Sequence, residues 1–210
     1  MTDRDQILAT LRRQAHPASQ PPPAWRSRRQ FADLAERFCA ALTANGGEAH
    51  RTASLPEALD LLGRLLAEWQ AQRVVVNPEP PLDQVDFAAR WPSLHWQVAG
   101  QTAGDLRAFC AAADVGLGSA EAVLAETGTV VIRSGARQSR LAVLLPPIHV
   151  VIAPTSRLTL DIFTWTSGLR GPLPASLTLV SGPSKSADIE QTMAVGVHGP
   201  KRLVVILADN

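Results

Sequence analysis

Three short stretches of this chain carry residue types able to do chemistry. In AETGT, Glu126 stands beside Thr127, Gly128 and Thr129. A carboxylate next to hydroxyls and a glycine at a strand edge can serve as a base or a nucleophile. The same carboxylate can instead accept bonds from loop amides and hold the turn. In SGPSKSADIE, Gly182 lets a backbone come close, Ser181, Ser184 and Ser186 offer hydroxyls, and Lys185 supplies positive charge. That set suits an anionic group at a helix start. It suits equally a strand-to-helix turn with Ser186 as N-cap. Asp188 and Glu190 favour the helix dipole but oppose a bound phosphate. The stretch is not the GxxxxGK(S/T) phosphate loop. In GVHGP, His198 lies on a glycine–proline loop, where an imidazole is suited to proton transfer.

The candidates are therefore Glu126 and His198 for catalysis, and Thr127, Gly128, Ser181, Gly182, Ser184 and Lys185 for ligand binding. The three loops are expected to face one pocket at the carboxyl ends of the strands of a parallel sheet, where ligands bind in such folds. His149, flanked by PPI and VVI, reads as a satisfied core histidine. Its spacing to His198 fits no zinc motif, so no metal site is expected. Arg133, Arg137 and Arg140 surround Ser134-Gly135 and have the fork that recognises carboxylates and phosphates. At least two of them read as ordinary solvated loop arginines. No GxGxxG fingerprint follows a strand.

Positioning these residues requires an alternation of strands and helices. Residues 3–14 form an amphipathic pattern with Ile7 and Leu11 on one face, broken by HPASQPPPAWRSRR. Three consecutive prolines favour an extended linker. Residues 1–27 are thus expected to be an N-terminal helix and proline-rich linker, separable from a domain over 28–210. From Arg28 to Asn45 the spacing of Phe31, Leu34, Phe38 and Leu42 predicts a helix ended by Gly46-Gly47. SLPE, residues 54–57, is a capping box opening a second helix with Leu59, Leu62 and Leu66 on its stripe. RVVVN predicts a buried parallel strand from Arg73, and Leu94, Trp96 and Val98 alternate as another. Thr102 with Asp105 repeats the capping signal. Further strands are predicted within 119–126, over Thr129–Ile132, Ile148–Ala153, Leu177–Val180 and Leu203–Leu207, and helices over Arg157–Thr166 and Ala187–Val195. This order predicts an α/β protein with a mainly parallel sheet and helices on both faces.

Composition narrows the field. The chain has 210 residues, 46% of them hydrophobic and 19% charged, with a net charge of +1. That balance gives no reason to expect a nucleic-acid partner. Cys39 and Cys110 are its two cysteines, too few for a disulfide framework or a cysteine-ligated iron–sulfur site. The charged N-terminus does not read as a secretory signal, and no apolar run has the length of a membrane span. The expectation is a cytoplasmic protein.

AEAVLAETGTVVIRSG with SRLAVLLPPIHVVIA, then VSGPSKSADIE, then GVHGPKRLVVIL, in this order and spacing, resemble the lactate-utilisation (LUD) domain family from about residue 70 to the C-terminus. The resemblance implies a three-layer α/β/α fold similar to the NagB/RpiA/CoA-transferase-like superfamily, which includes ribose-5-phosphate isomerase and formyltetrahydrofolate cyclo-ligase. It also implies work in the oxidation of L-lactate to pyruvate, beside companion proteins that carry iron–sulfur clusters. This chain would then be the cluster-free component, holding no cofactor itself and binding a small anionic or nucleotide-like ligand. Two alternatives come from fold relatives and from the lack of cluster ligands. One is a stand-alone sugar-phosphate or acyl/CoA-transfer enzyme, and the other a scaffold subunit without chemistry. Related CoA transferases use a glutamate nucleophile, to which Glu126 has no residue-by-residue match.

Overall fold

The computed structural model describes residues 2–13, 25, 27–187, 193–196 and 198–209. In chain order its elements begin with α1 (Asp3–Arg13), α2 (Leu34–Ala44), β1 (Glu48–Thr52), α3 (Leu55–Glu68), β2 (Arg73–Val76), α4 (Phe87–Arg90) and β3 (His95–Val98). They continue with α5 (Leu106–Ala112), β4 (Val115–Gly118), β5 (Ala122–Leu124), β6 (Thr129–Ser134), α6 (Arg140–Leu144) and β7 (Ile148–Pro154). The last are β8 (Leu158–Thr159), α7 (Ile162–Gly168), β9 (Ser176–Val180), β10 (Lys185–Ala187), β11 (Met193–Val195) and β12 (Arg202–Ala208).

Six strands form an entirely parallel sheet in the order β1-β12-β7-β4-β2-β3. Buried on both faces, the central strands β2, β7 and β12 are rich in Val, Ile and Leu, as expected for a parallel sheet. Their alternation sorts the core. Val150 and Ile152 of β7, with Val204 and Ile206 of β12, pack with Leu59, Leu62 and Leu66 of α3. Val151 and Ala153, with Val205 and Leu207, pack with Phe38 and Leu42 of α2 and with Val123 and Val130. Each fully buried leucine or phenylalanine contributes about 2 kcal/mol of transfer free energy. The architecture is therefore the α/β fold with a mainly parallel sheet that the sequence predicts. A smaller four-stranded sheet, β8-β5-β6-β9, covers the α2 side and was not foreseen as a separate layer.

Local signals hold where the hydrogen bonds are local. Ser54 Oγ accepts from the Glu57 amide at 3.3 Å and Glu57 Oε2 accepts from the Ala53 amide at 3.0 Å, close to the capping box. The helix expected from Arg28 starts only at Leu34, because Asp33 caps it by accepting from the Ala35 and Glu36 amides; it ends at Asn45 as expected, and the Gly47 amide returns to the Leu42 carbonyl at 3.0 Å. The short strand expected within 119–126 is β5.

Three further expectations are corrected. The helix over Ala187–Val195 is not formed by its described residues. β10 pairs antiparallel with β11, Lys185 opposite Val195 and Ala187 opposite Met193, so Ser186 sits in a ladder where a helix start was expected. A strand partner there outweighs local helical preference; residues 188–192, including Asp188 and Glu190, lie outside the described residues. The helix over Arg157–Thr166 starts late, at Ile162, because Leu158 and Thr159 are paired with β5, and Asp161 caps it by accepting from the Thr164 amide at 2.7 Å. The cap before α5 is Asp105 itself, which accepts from the Arg107 and Ala108 amides, while Thr102 Oγ1 accepts from the Val98 amide.

The helix α1 buries none of its residues. The proline run lies outside the described residues. Just after it, the Trp25 ring meets Phe163 edge-on with centroids 4.4 Å apart.

Candidate functional site

The AETGT turn joins β5 to β6 and lies against the last turns of α2. Gly128 has φ +65°, and a Cβ there would stand 2.6 Å from Leu42 Cα and 2.7 Å from Ala41 C. Only glycine lets the turn and the helix backbone approach this closely. The Glu126 amide donates to the Leu160 carbonyl at 2.9 Å, and its own carbonyl accepts from Arg37 Nη2 at 2.7 Å. Its carboxylate pairs with Arg29. Thr127 Oγ1, Thr129 Oγ1 and Ser181 Oγ form a chain of hydroxyls at 2.6 and 2.7 Å, which ties the AETGT turn to the start of SGPSK.

SGPSK in turn seats on the end of α2. A Cβ on Gly182 would stand 2.8 Å from the Asn45 carbonyl oxygen. Lys185 Nζ donates to that same oxygen at 3.1 Å. A cation on the final carbonyls of a helix is favoured by the helix dipole, by about 0.3–1 kcal/mol. The Ser184 amide donates to the Pro200 carbonyl at 2.9 Å and its carbonyl accepts from the Gly196 amide at 2.8 Å. His198 lies on that neighbouring loop with its side chain exposed.

The three sequence-predicted loops thus lie side by side, but not at the carboxyl ends of the strands. Asn45–Gly47 leads into β1, and Pro200-Lys201 leads into β12, with the Lys201 amide donating to Pro147 just before β7. This is the amino edge of the parallel sheet. The reason is directional: GVHGP precedes its strand, and AETGT belongs to the smaller sheet, which lies over α2.

The carboxyl edge carries a different group. As β2 ends, Asn77 and Glu79 follow, both buried. As β4 ends, Ser119 follows, with no exposed surface. Its amide donates to Glu79 Oε1 at 3.0 Å and its hydroxyl accepts from Arg157 Nη1 at 3.1 Å. Asn77 accepts from the Ser139 amide at 2.9 Å and donates to the Ser139 carbonyl at 3.2 Å, fastening the β6–α6 loop over the strand ends. Beside it opens a cleft of about 530 Å³ lined by Gly100, Ser134, Arg137, Ser139 and Arg140 among others. That volume is ordinary for a small-molecule site. Burial is the main influence on Glu79 and raises its pKa to about 7, against the Ser119 hydrogen bond and the Arg157 charge. Burial lowers His149 to about 4, against the bond from its Nδ1 to the Gly116 carbonyl at 3.1 Å. His149 is buried in the core, as its flanking residues predict, but it is not the fully satisfied histidine expected, since its Nε2 has no hydrogen-bond partner among the described residues.

Sequence reasoning passed over Asn77, Glu79, Ser119 and Arg157. A signal existed: VVVNPE and GLGS each place polar residues directly after an apolar strand. Of the three arginines around Ser134-Gly135, at least two of which read as solvated, Arg137 and Arg140 are exposed and also line the cleft. Among the described residues no group of three His, Cys, Asp or Glu side chains is placed to hold a metal ion. No described helix is long and apolar enough to cross a membrane.

Comparison with known proteins adds a family. The LUD domain matches residues 35–208. Lactate utilization protein C of Halalkalibacterium halodurans is 35% identical over 165 residues, which covers 74% of this chain and 70% of that protein. Lactate utilization protein C 1 of Bacillus mycoides is 31% identical over 163 residues, covering 72% and 69%. A crystal structure of a DUF162 family protein from Deinococcus radiodurans has the same fold, with a TM-score of 0.60 at 20% identity over 83% of this chain and 96% of that one.

Proposed function

The chain belongs to the LUD domain family, and from that premise we propose that it is the cluster-free component of an L-lactate-utilisation system that oxidises L-lactate to pyruvate, with the iron–sulfur clusters on partner subunits. The observation that carries the reading is the 35% identity to a lactate utilization protein C along 165 residues. Affinity purification of this chain from its native cell, grown on L-lactate, is expected to bring down an iron–sulfur protein, read by iron content and visible absorbance. Recovery of the chain alone, from cells that are oxidising L-lactate, would count against the assignment.

The ligand in this reading is a small anion, seated at the carboxyl edge in the cleft of Arg137 and Arg140. Three features support the place. Ligands of open parallel α/β sheets sit beyond the strand carboxyl ends. The two guanidinium groups suit a carboxylate. The Asn77 amide holds the loop that carries them. Calorimetric titration of L-lactate and pyruvate into the protein tests it. Arg137→Ala with Arg140→Ala is expected to weaken binding roughly 10- to 100-fold, as for loss of charged hydrogen bonds. Equal affinity in the double variant removes the arginines from the site.

A further inference from the structure

Between Trp25 and Phe31, every second residue meets the body. The Trp25 ring stands edge-on to Phe163 of α7, with centroids 4.4 Å apart. Ser27 acts on Asp161, the buried cap of α7: against burial, its hydroxyl and the Thr164 amide hold that carboxyl below its usual range. Arg29 pairs with the Glu126 carboxylate. The Phe31 ring carries the Arg37 guanidinium of α2 over its face, 5.1 Å from the centroid. The alternate residues Arg28 and Gln30 are exposed. A period of two is the mark of an extended chain with one face on its support. The supports also follow one another in space. Asp161 and Phe163 open α7, the Glu126 amide donates to Leu160 just before it, and the Glu126 carbonyl accepts from Arg37 Nη2. Side chains make these contacts. Among the described residues, no backbone group of this run is hydrogen-bonded to the body.

We propose that residues 25–31 are a strap, latched by the Arg29–Glu126 pair, which closes over the AETGT turn and opens to free the N-terminal arm. The Glu126 carboxylate then serves a cation of its own chain, and its role is to hold the latch. Closed, the strap leaves the Glu126 side chain 21% exposed. A segment held by a few side chains and no backbone ladder belongs to the low-stability end of a structure, so it opens without unfolding the body. An ion pair with one exposed partner shifts the ratio of closed to open by a few-fold, and salt screens it. Opening has a consequence for α1. That helix buries none of its residues and shows Ile7 and Leu11 to solvent. Along the chain from Arg13, an anchor at Trp25 allows α1 at most about 40 Å of reach, and an anchor at Asp33 about 70 Å. The latch therefore sets how far the apolar stripe of α1 can travel from its point of attachment.

Trypsin reads the strap directly, because cutting after Arg28 or Arg29 requires that stretch to leave the surface. When reclosing is fast, the cutting rate follows the open population. Rates for the full chain are measured by mass spectrometry at about 0.05 and about 0.5 M sodium chloride. Each is divided by the rate for a synthetic peptide of residues 22–34, which removes the effect of salt on the protease. Wild type at low salt is expected to be cut about ten-fold more slowly than the peptide, and about two- to five-fold faster at high salt than at low. Glu126→Gln keeps the shape of the side chain and removes its charge. It is expected to be cut about two- to five-fold faster than wild type at low salt, with the salt response gone and the melting temperature of the body unchanged. If wild type is cut at the rate of the peptide, no strap is docked and the proposal falls. If Glu126→Gln is cut as slowly as wild type and responds to salt in the same way, Glu126 is not the latch. If the variant gains cuts throughout the body and melts lower, the effect is global and the latch is refuted.

Discussion

Gly128→Ala is expected to destabilise the protein by about 3 kcal/mol or more, a large share of a typical domain's stability. Two costs add. At φ +65° an alanine meets the left-handed penalty of about 1–2 kcal/mol. Its Cβ would also press into the backbone of α2 at Ala41 and Leu42. Backbone inside a helix cannot step aside as a side-chain tip can, so the turn must lift off the helix. The lift strains the Asn45 bond to the Thr127 carbonyl and the hydroxyl chain to Ser181. Gly171→Ala separates the two costs. Gly171 has φ +79° with nothing within 4 Å of the built Cβ, so its substitution is expected to cost only about 1 kcal/mol. Urea denaturation of both variants reads the difference. Equal losses would mean that the close approach to α2 carries no energy.

That glycine illustrates what was legible in the sequence. Thr127-Gly128 reads as a bend from local chemistry, and the structure has it there. That α2 presses on it depends on residues some 86 positions away, which no local pattern carries. The parallel sheet was legible because its strands are buried on both faces and bounded by capped helices. The hairpin of β10 and β11 was not, because ADIEQTMAV favours a helix locally and only the pairing of Lys185 with Val195 overrides it. The candidate site followed the same division. Gly- and Ser-rich loops announced themselves, yet they gather at the amino edge, where Lys185 meets a helix end. Asn77, Glu79 and Ser119 are single polar residues at strand ends, distinguished by position in the sheet and by burial. Neither property is visible until the strand order β7-β4-β2 is known.

The strand ends also set the acid response. Between about pH 4.5 and 6.5 the two buried titrating groups are expected to cancel. His149 has its folded pKa lowered to about 4 from an ordinary 6.5. Its neutral form belongs to the fold, so its contribution is whole above pH 6.5 and is lost as pH falls towards 4. The loss reaches about 3 kcal/mol as the unfolded chain binds a proton that the folded one refuses. Glu79 runs the other way, with its folded pKa raised to about 7 from 4.5. Its contribution is whole below pH 4.5 and is lost as pH rises towards 7, again by about 3 kcal/mol. In the shared window the unfolded chain gains a proton at the histidine and lacks one at the glutamate, so these two slopes offset. Single substitutions expose them. His149→Gln is expected to leave a protein whose stability falls as pH rises from about 4.5 to 7. Glu79→Gln is expected to leave one whose stability rises over about pH 4 to 6.5, and the double variant should be level again. Urea midpoints at a few pH values across the window decide it. A wild-type slope that survives unchanged in both single variants would assign the acid response to other groups and remove these two from it.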